Sequence, residues 1–231
     1  MDHIRLSPRL QMVADFVPPC ACAADIGTDH GYLPVWLLQS GVIQSAIAAD
    51  IHAGPLANAR QSAAAYDLEE RFRFVQADGL QFSGAQAADV ITIAGMGGET
   101  ICTILAAAPW LREGRRLILQ PQSKVPELAD WLWHNGFTIE DAALCRDAGK
   151  RYLALRVLGR VAAQSCTVEQ LLLRHRDPLL PEQLKEEIRR QKRARAGMAH
   201  AKQTPEAALA ALDARLSELE ACLKEVQTWQ S

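Results

Sequence analysis

Short apolar runs alternate along the first two-thirds of this chain with segments whose apolar positions recur every three or four residues. The first segment reads as a helix: Ser7 before Pro8 is a cap followed by proline at the first helical position, and Pro18-Pro19 ends it. Residues 21–26 then predict a strand, closed by a glycine-containing loop, with a helix over about residues 34–39. The unit repeats with a strand at 45–49 and a helix at 55–66, a third strand at 71–76, and a fourth at 88–94 rich in β-branched residues. A helix over about 98–107, a fifth strand at 116–119 and a helix over about 125–135 continue it. Beyond Gly136 the period changes to two strand-like runs, 137–144 and 151–158, separated by Arg146-Asp147-Ala148-Gly149.

Strands alternating with helices imply a parallel sheet covered on both faces, and the terminal pair places the last strand antiparallel. The expected fold class is α/β, a Rossmann-like, mostly parallel seven-stranded sheet. Composition shifts near Gly159, which divides the chain into an expected domain over 1–160 and an appendage over 161–231. Residues 163–181, with Asp177-Pro178 and Pro181, read as a connector. Two helical runs follow, separated near Gln203-Thr204-Pro205. In the second, Leu209, Leu212, Leu216, Leu219, Leu223 and Val226 alternate spacings of three and four, the seam of a coiled coil. The first carries a more polar stripe of Leu184, Ile188, Gln191, Arg195 and Met198. Both runs are too short and one-sided to stand alone, so an antiparallel helical hairpin is expected.

Composition narrows the class without naming a function. A chain of 231 residues, 49% apolar and 23% charged, is that of a soluble globular protein, and no run reaches membrane-spanning length. The amino-terminal MDHIRLSPRLQMVADF lacks the apolar stretch of a signal peptide. Six cysteines are scattered (Cys20, Cys22, Cys102, Cys145, Cys166, Cys222), and Cys20-x-Cys22 has the wrong spacing for a zinc or redox pair. The expectation is reduced thiols, no metal and a cytoplasmic protein. A net charge of −2 requires any nucleic-acid footprint to be local.

The strongest local signal is Asp25-Ile26-Gly27-Thr28-Asp29-His30-Gly31, which closes the first strand. Glycines there let the backbone turn sharply and approach a ligand. A dinucleotide fingerprint needs G-x-G-x-x-G, and counting from Gly27 its second and third glycine positions hold Asp29 and Tyr32. A carboxylate there repels a pyrophosphate and suits a ligand carrying an ammonium and a sulfonium, as S-adenosylmethionine does. A tight strand–helix turn with no ligand is the simpler reading of this motif alone. Asp50 ends the second strand, where a carboxylate can accept both ribose hydroxyls of an adenosine, and Asp78-Gly79 follows the third, where one can take an adenine amino proton. Each alone is also an ordinary turn residue; together the three acidic strand ends outline a cleft on one sheet edge. Gly95-Met96-Gly97-Gly98 closes the fourth strand, exposing backbone groups where ligand and substrate would meet, or else forming a mobile turn.

LSPRL near the start, ADIGTDHGYLP, the acidic end of the second strand, QADGL, ITIAGMGGE and LILQP resemble the bacterial tRNA (adenine-22-N1)-methyltransferase family, often called TrmK. The resemblance is close over about residues 4–158 and extends in kind to the carboxyl-terminal hairpin; Asp50 stands where family members often carry glutamate. It implies a class I methyltransferase fold, S-adenosylmethionine as cofactor and N1 of adenine 22 in tRNA as methyl acceptor. Carried over by position, Asp25, Gly27, His30 and Gly31 surround the methionine part of the cofactor. Asp50 holds the ribose, Asp78 and Gly79 the adenine, and Gly95, Met96 and Gly97 lie below the transferring methyl; Thr28, Ile51 and Ala94 complete the expected cofactor-binding set. Arg9 is a candidate for the cofactor's carboxylate, to which arginine makes paired hydrogen bonds, or else a surface residue of an amphipathic helix.

The chemistry the resemblance implies agrees with the residues. Adenine N1 has an in-plane lone pair and no proton at neutral pH, so alignment matters more than a strong base. The Asp/Asn-Pro-Pro-aromatic loop of exocyclic-amine methyltransferases is replaced by AGMGG, and neither Cys102 nor Cys145 is placed for attack on a pyrimidine. Asp29 can accept a hydrogen bond from the target's amino group and Tyr32 can stack on a flipped base, against the simpler readings of a solvated loop aspartate and a core tyrosine. Lys185, Arg189, Arg190, Lys192, Arg193 and Arg195 are candidate RNA phosphate contacts. The alternative is charge pairing with the acidic second helix, which carries Glu206, Asp213, Glu218, Glu220 and Glu225. Trp36, Trp110, Trp131 and Trp133 read as packing residues. The expected partner is tRNA, with no membrane, and the chain a monomer or weak homodimer. Rival readings are a nucleotide-dependent oxidoreductase, a methyltransferase for another RNA position, and a non-catalytic RNA-binding protein that keeps the cofactor pocket. The broken dinucleotide fingerprint speaks against the first.

Overall fold

A computed structural model describes residues 3–161, 166–199 and 206–230. The chain divides into two compact units, Met1–Cys166 and Thr167–Ser231. The strands of the first unit are β1 (Cys20–Ile26), β2 (Ile43–Asp50), β3 (Phe72–Gln76), β4 (Val90–Gly97), β5 (Arg116–Ser123), β6 (Thr138–Asp147) and β7 (Lys150–Leu158). Around them lie α1 (Pro8–Asp15), α2 (Tyr32–Gln39), α3 (Ala53–Ala65), α4 (Gly98–Ala106) and α5 (Val125–His134). The seven strands form one sheet in the order β3-β2-β1-β4-β5-β7-β6. Every neighbouring pair is parallel except the two made by β7, which runs antiparallel to β5 and β6. The central strands are apolar on both faces because helices cover both: Ile91, Ile93, Leu117, Ile118 and Leu119 are fully buried. α1 starts where the sequence predicts, with the Leu10 amide donating to Ser7 Oγ at 3.5 Å and Pro8 in the first turn.

Two strands run further than their apolar segments. β4 continues through Gly95 and Met96 to Gly97, where the glycines had predicted a turn, because β5 also extends beyond Leu119 to Ser123 and keeps pairing with it. The register slips twice. Ala94 faces Gln120 and Met96 faces Pro121, which leaves Gly95 as the extra residue on β4. Gly97 then faces Ser123, which leaves Gln122 as the extra residue on β5. Gly95 takes φ 82°, a left-handed conformation that costs glycine little. Pro121 has no amide to donate and sits in this irregular stretch, where a sheet tolerates it.

Residues 163–181 are not a plain connector. α6 (Val168–Arg174) lies within them, started by a capping box in which the Gln170 amide donates to Thr167 Oγ1 at 3.2 Å and the Thr167 amide donates to Gln170 Oε1 at 2.9 Å. α7 (Leu180–Ala199) and α8 (Glu206–Gln227) follow. They pair antiparallel, since Lys192 reaches Glu220 while the later Arg195 reaches the earlier Asp213. Leu184 and Ile188 of α7 and Leu216, Leu219 and Val226 of α8 are buried, and Arg215 of α8 holds Glu169 of α6 at 2.5 Å. The appended unit is therefore a hairpin with a third helix packed on it. The break expected near Gln203-Thr204-Pro205, and the start of the connector at Ala163, lie outside the described residues. No helix among the described residues is long and apolar enough to cross a membrane.

Candidate active site

The strand order reverses between β1 and β4, and at such a point the connecting helices diverge and leave a crevice beyond the carboxyl ends of the strands. Here the crevice is a cleft of about 460 Å³. Ile26 and Gly27 of β1, Asp50 and Ile51 of β2, and Ala77, Asp78 and Gly79 after β3 line it, with Met96 of β4 and Glu99, Thr100, Thr103 and Ile104 of α4 opposite. Asp50 is oriented by the His52 amide, which donates to its Oδ1 at 2.9 Å. Three carboxylates, Asp50, Asp78 and Glu99, make the lining hostile to a pyrophosphate and receptive to hydroxyl, amino or cationic groups.

The turn after β1 forms the floor of the cleft. Gly27 has φ 73°, a left-handed conformation that favours glycine, and a Cβ there would push aside the terminal methyl of Met96, which lies over the turn. Beneath it Asp25 is buried, accepting a hydrogen bond from Thr92 Oγ1 at 2.7 Å. Burial pushes the Asp25 carboxyl above the usual range, and the Thr92 hydroxyl opposes that shift. The neighbouring Thr28 hydroxyl favours the ionised Asp25 by its proximity, yet it is buried and makes no hydrogen bond of normal geometry to any protein atom.

Several residues singled out from the sequence lie elsewhere. Asp29 (φ 50°, side chain 70% exposed) and His30 project to solvent, with His30 Nε2 3.7 Å from Asp29 Oδ1. Tyr32 is 43% exposed and stacks on His30 with ring centroids 5.2 Å apart, so it is not a core tyrosine. Gly31 caps α2 in the left-handed conformation. Ala94, Gly95 and Gly97 are part-buried on β4 and do not line the cleft.

On the β5 side of β4 stands a second polar group. Gln120 is fully buried; its Oε1 accepts from Arg9 Nη1 at 2.8 Å and from the Gly95 amide at 3.2 Å, while its Nε2 donates to the Pro121 carbonyl at 3.0 Å. Arg9, with its guanidinium 5.8 Å from the Tyr152 ring centre, is thus held at the sheet edge and is no free surface arginine. Gln120, Gln122 and the α4 wall were not among the residues the sequence singles out. Two signals carried them: polar glutamines following the apolar run of β5, and Glu99, Thr100, Thr103 and Ile104 spaced to share one helix face.

A family model described as a methyltransferase domain matches residues 6–155. Over 156 residues the chain is 38% identical to the tRNA (adenine(22)-N(1))-methyltransferase of Bacillus subtilis, a match spanning 67% of this chain and 66% of that relative, just under two thirds. The chain belongs to the tRNA (adenine-22-N1)-methyltransferase family. The crystal structure of the B. subtilis m1A22 tRNA methyltransferase TrmK superposes with a TM-score of 0.77 at 27% identity, covering 96% of this chain and 100% of that one. Streptococcus pneumoniae Sp1610, solved in complex with S-adenosyl-L-methionine, gives a TM-score of 0.77 at 31% identity over 95% of this chain and 100% of that one.

In this member of the TrmK family the six cations of α7 fall into two sets. Arg190 pairs with Glu187 at 2.8 Å, Lys192 with Glu220 at 2.7 Å, and Arg195 with Asp213. These partners hold the carboxyls of Glu220 and Asp213 below the usual range through their hydrogen bonds. Lys185, Arg189 and Arg193, spaced four apart, form an exposed stripe without an ion pair among the described residues; Arg189 and Arg193 donate only to carbonyls of their own helix. Of the tryptophans, Trp36 packs on the core and Trp131 stacks on Phe137 at 5.9 Å, whereas Trp133, expected to pack, is 47% exposed on α5. Burial raises the Cys20 thiol to about 11 and raises Cys102 as well, leaving neither a thiolate nucleophile at neutral pH.

Proposed function

We propose that this chain transfers a methyl group from S-adenosylmethionine to N1 of adenine 22 in tRNA, with the cofactor in the cleft at the ends of β1, β2 and β3. The observation that carries this reading is the acidic cleft joined to the glycine-floored turn, where Asp50, Asp78 and Glu99 converge with Gly27. The residues present suit the cofactor. In this reading Asp50 accepts from the ribose hydroxyls and Asp78 from the adenine amino group, with Ile51 and Ile104 against the ring faces; all four line the cleft, and the His52 amide holds Asp50. Gly27 presents the turn to the methionine part, and the buried Asp25 beneath it biases it toward a cationic group. S-adenosylmethionine supplies a methyl on a sulfonium, which the adenine N1 lone pair can accept without prior deprotonation. What the protein must supply is alignment.

Arg9 and Gln120 fix the Gly95 bulge at the end of β4, so that a ring edge meets little steric bulk there. Asp29, at the exposed rim, accepts a hydrogen bond from the target's amino group, and Tyr32 stacks on the base. Lys185, Arg189 and Arg193 take up tRNA phosphates. Asparagine adopts the left-handed conformation of residue 29 readily, so Asp29→Asn removes the charge without straining the backbone. That variant is expected to lose roughly tenfold in turnover number, with cofactor affinity at the parent value; a variant whose only fault is weak cofactor binding would place Asp29 in the cofactor site instead. The reading as a whole is tested by incubating the protein with methyl-labelled cofactor and unmodified tRNA and digesting the product to nucleosides. N1-methyladenosine is expected; label in guanosine or in an exocyclic amine overturns the proposal.

A further inference from the structure

We infer that Gln122 recognises the target adenine through the N6–N7 side of its ring, fixing the choice of base while leaving N1 open to the methyl. This rests on the function proposed above and adds the group that selects the base. Gln122 is the extra residue of β5 in the double bulge, and a bulge re-aims the side chain it carries. It is exposed, and its Nε2 lies 3.7 Å from the point a Cβ of Gly95 would occupy. The absent side chain of Gly95 therefore leaves a gap between Gln122 Nε2 and Arg9 Nη1 that a methyl group would fill at ordinary contact distance, on the β5 side of the strand end that carries Met96 into the cleft.

The two glutamines of this edge differ in how their amides are used. Gln120 is buried and has both ends engaged, by Arg9, Gly95 and Pro121. Gln122 makes no hydrogen bond among the described residues, and Arg9, the other polar group beside Gly95, is held by Gln120. One donor and one acceptor thus stand free at the place where the base must enter.

An enzyme that alkylates N1 cannot read adenine by covering its Watson–Crick edge. With the N6 hydrogen on the N1 side given to Asp29, the outer N6 hydrogen and N7 remain to identify the base, a donor beside an acceptor. A glutamine amide matches that pair with two hydrogen bonds. Guanine offers O6 and N7 there, two acceptors, so the amide oxygen would face an oxygen and the base would be refused.

The test uses the full chain, the variants Gln122→Ala and Gln122→Glu, and two tRNAs: an unmodified transcript and the same tRNA with 7-deazaadenine at the target. The 7-deaza base lacks the N7 acceptor and keeps a nucleophilic N1. The parent enzyme is expected to lose roughly tenfold to a hundredfold in turnover on the 7-deaza tRNA. Gln122→Ala is expected to lose a similar factor on the ordinary tRNA and nothing further on the 7-deaza tRNA. Gln122→Glu keeps the size and loses the donor, so it should follow Gln122→Ala, with cofactor affinity unchanged in both. A parent enzyme indifferent to N7, or a Gln122→Ala enzyme that still suffers the full 7-deaza loss, overturns the inference. A parent enzyme that makes no N1-methyladenosine on the ordinary tRNA overturns the proposed function with it, a failure read separately on that substrate.

Discussion

An Asp50→Ala/Asp78→Ala double variant is expected to bind S-adenosylmethionine at least about 100-fold more weakly than the parent, since each carboxylate contributes a charge-assisted hydrogen bond of about 1.5–3 kcal/mol. Both residues line the cleft at the ends of adjacent strands, and neither is buried, so the sheet does not depend on them. The one structural cost is the hydrogen bond from the His52 amide to Asp50 at the start of α3, a cap-like bond typically contributing about 1 kcal/mol. The melting temperature should therefore fall by only a few degrees while calorimetric affinity collapses. Asp50→Asn retains an acceptor for His52 and separates the two effects. Unchanged affinity in a folded double variant would put the cofactor on another edge of the sheet.

The second large effect is expected on tRNA binding and depends on which cations are removed. Lys185, Arg189 and Arg193 have no carboxylate partners among the described residues, whereas Arg190, Lys192 and Arg195 are held in ion pairs. Replacing the first set with glutamine should weaken tRNA binding roughly tenfold or more near physiological salt. It should also reduce the dependence of log affinity on log salt by about one for each phosphate that is no longer neutralised. Replacing the second set should leave that slope near the parent value and show instead in the melting of α7 and α8, although exposed pairs contribute little each. Binding isotherms at several salt concentrations separate the two. The opposite ranking would make the paired side of α7 the RNA-facing one.

What the sequence disclosed depended on whether the cause was local. The turn at Gly27 and the acidic ends of β2 and β3 were legible because a parallel sheet brings the carboxyl ends of its strands to one edge, whatever the loops do between them. The continuation of β4 through Gly95 to Gly97 was not, because it depends on pairing with Gln120, Pro121 and Ser123, and glycine-rich backbone has no local preference for that outcome. The same pairing hid Gln122, whose exposure arises only from a two-strand register slip. The α4 wall was obscured because Ile104 and Thr103 share a helix with the buried Ile101 and Leu105, so the whole segment looked like core. α6 had a local signal, the Thr167-x-x-Gln170 box, that Pro178 and Pro181 outweighed. Arg9 and Tyr32 each admit two readings from the sequence, and tertiary placement removes one of each: Arg9 is tied to Gln120 and is no free surface arginine, and Tyr32 is exposed beside His30 and is no core residue.

The most direct measurement is the position of the methyl group on tRNA. An N1-methyl adenine cannot form a Watson–Crick pair, so reverse transcription halts on reaching it. An unmodified tRNA with adenine at position 22, incubated with the protein and S-adenosylmethionine, is expected to acquire a stop at that position and N1-methyladenosine in its digest, and the same tRNA with guanine at 22 to acquire neither. A stop at another adenine, a stop that survives the change at 22, or methyl label with no stop at all would contradict methylation of N1 of adenine 22.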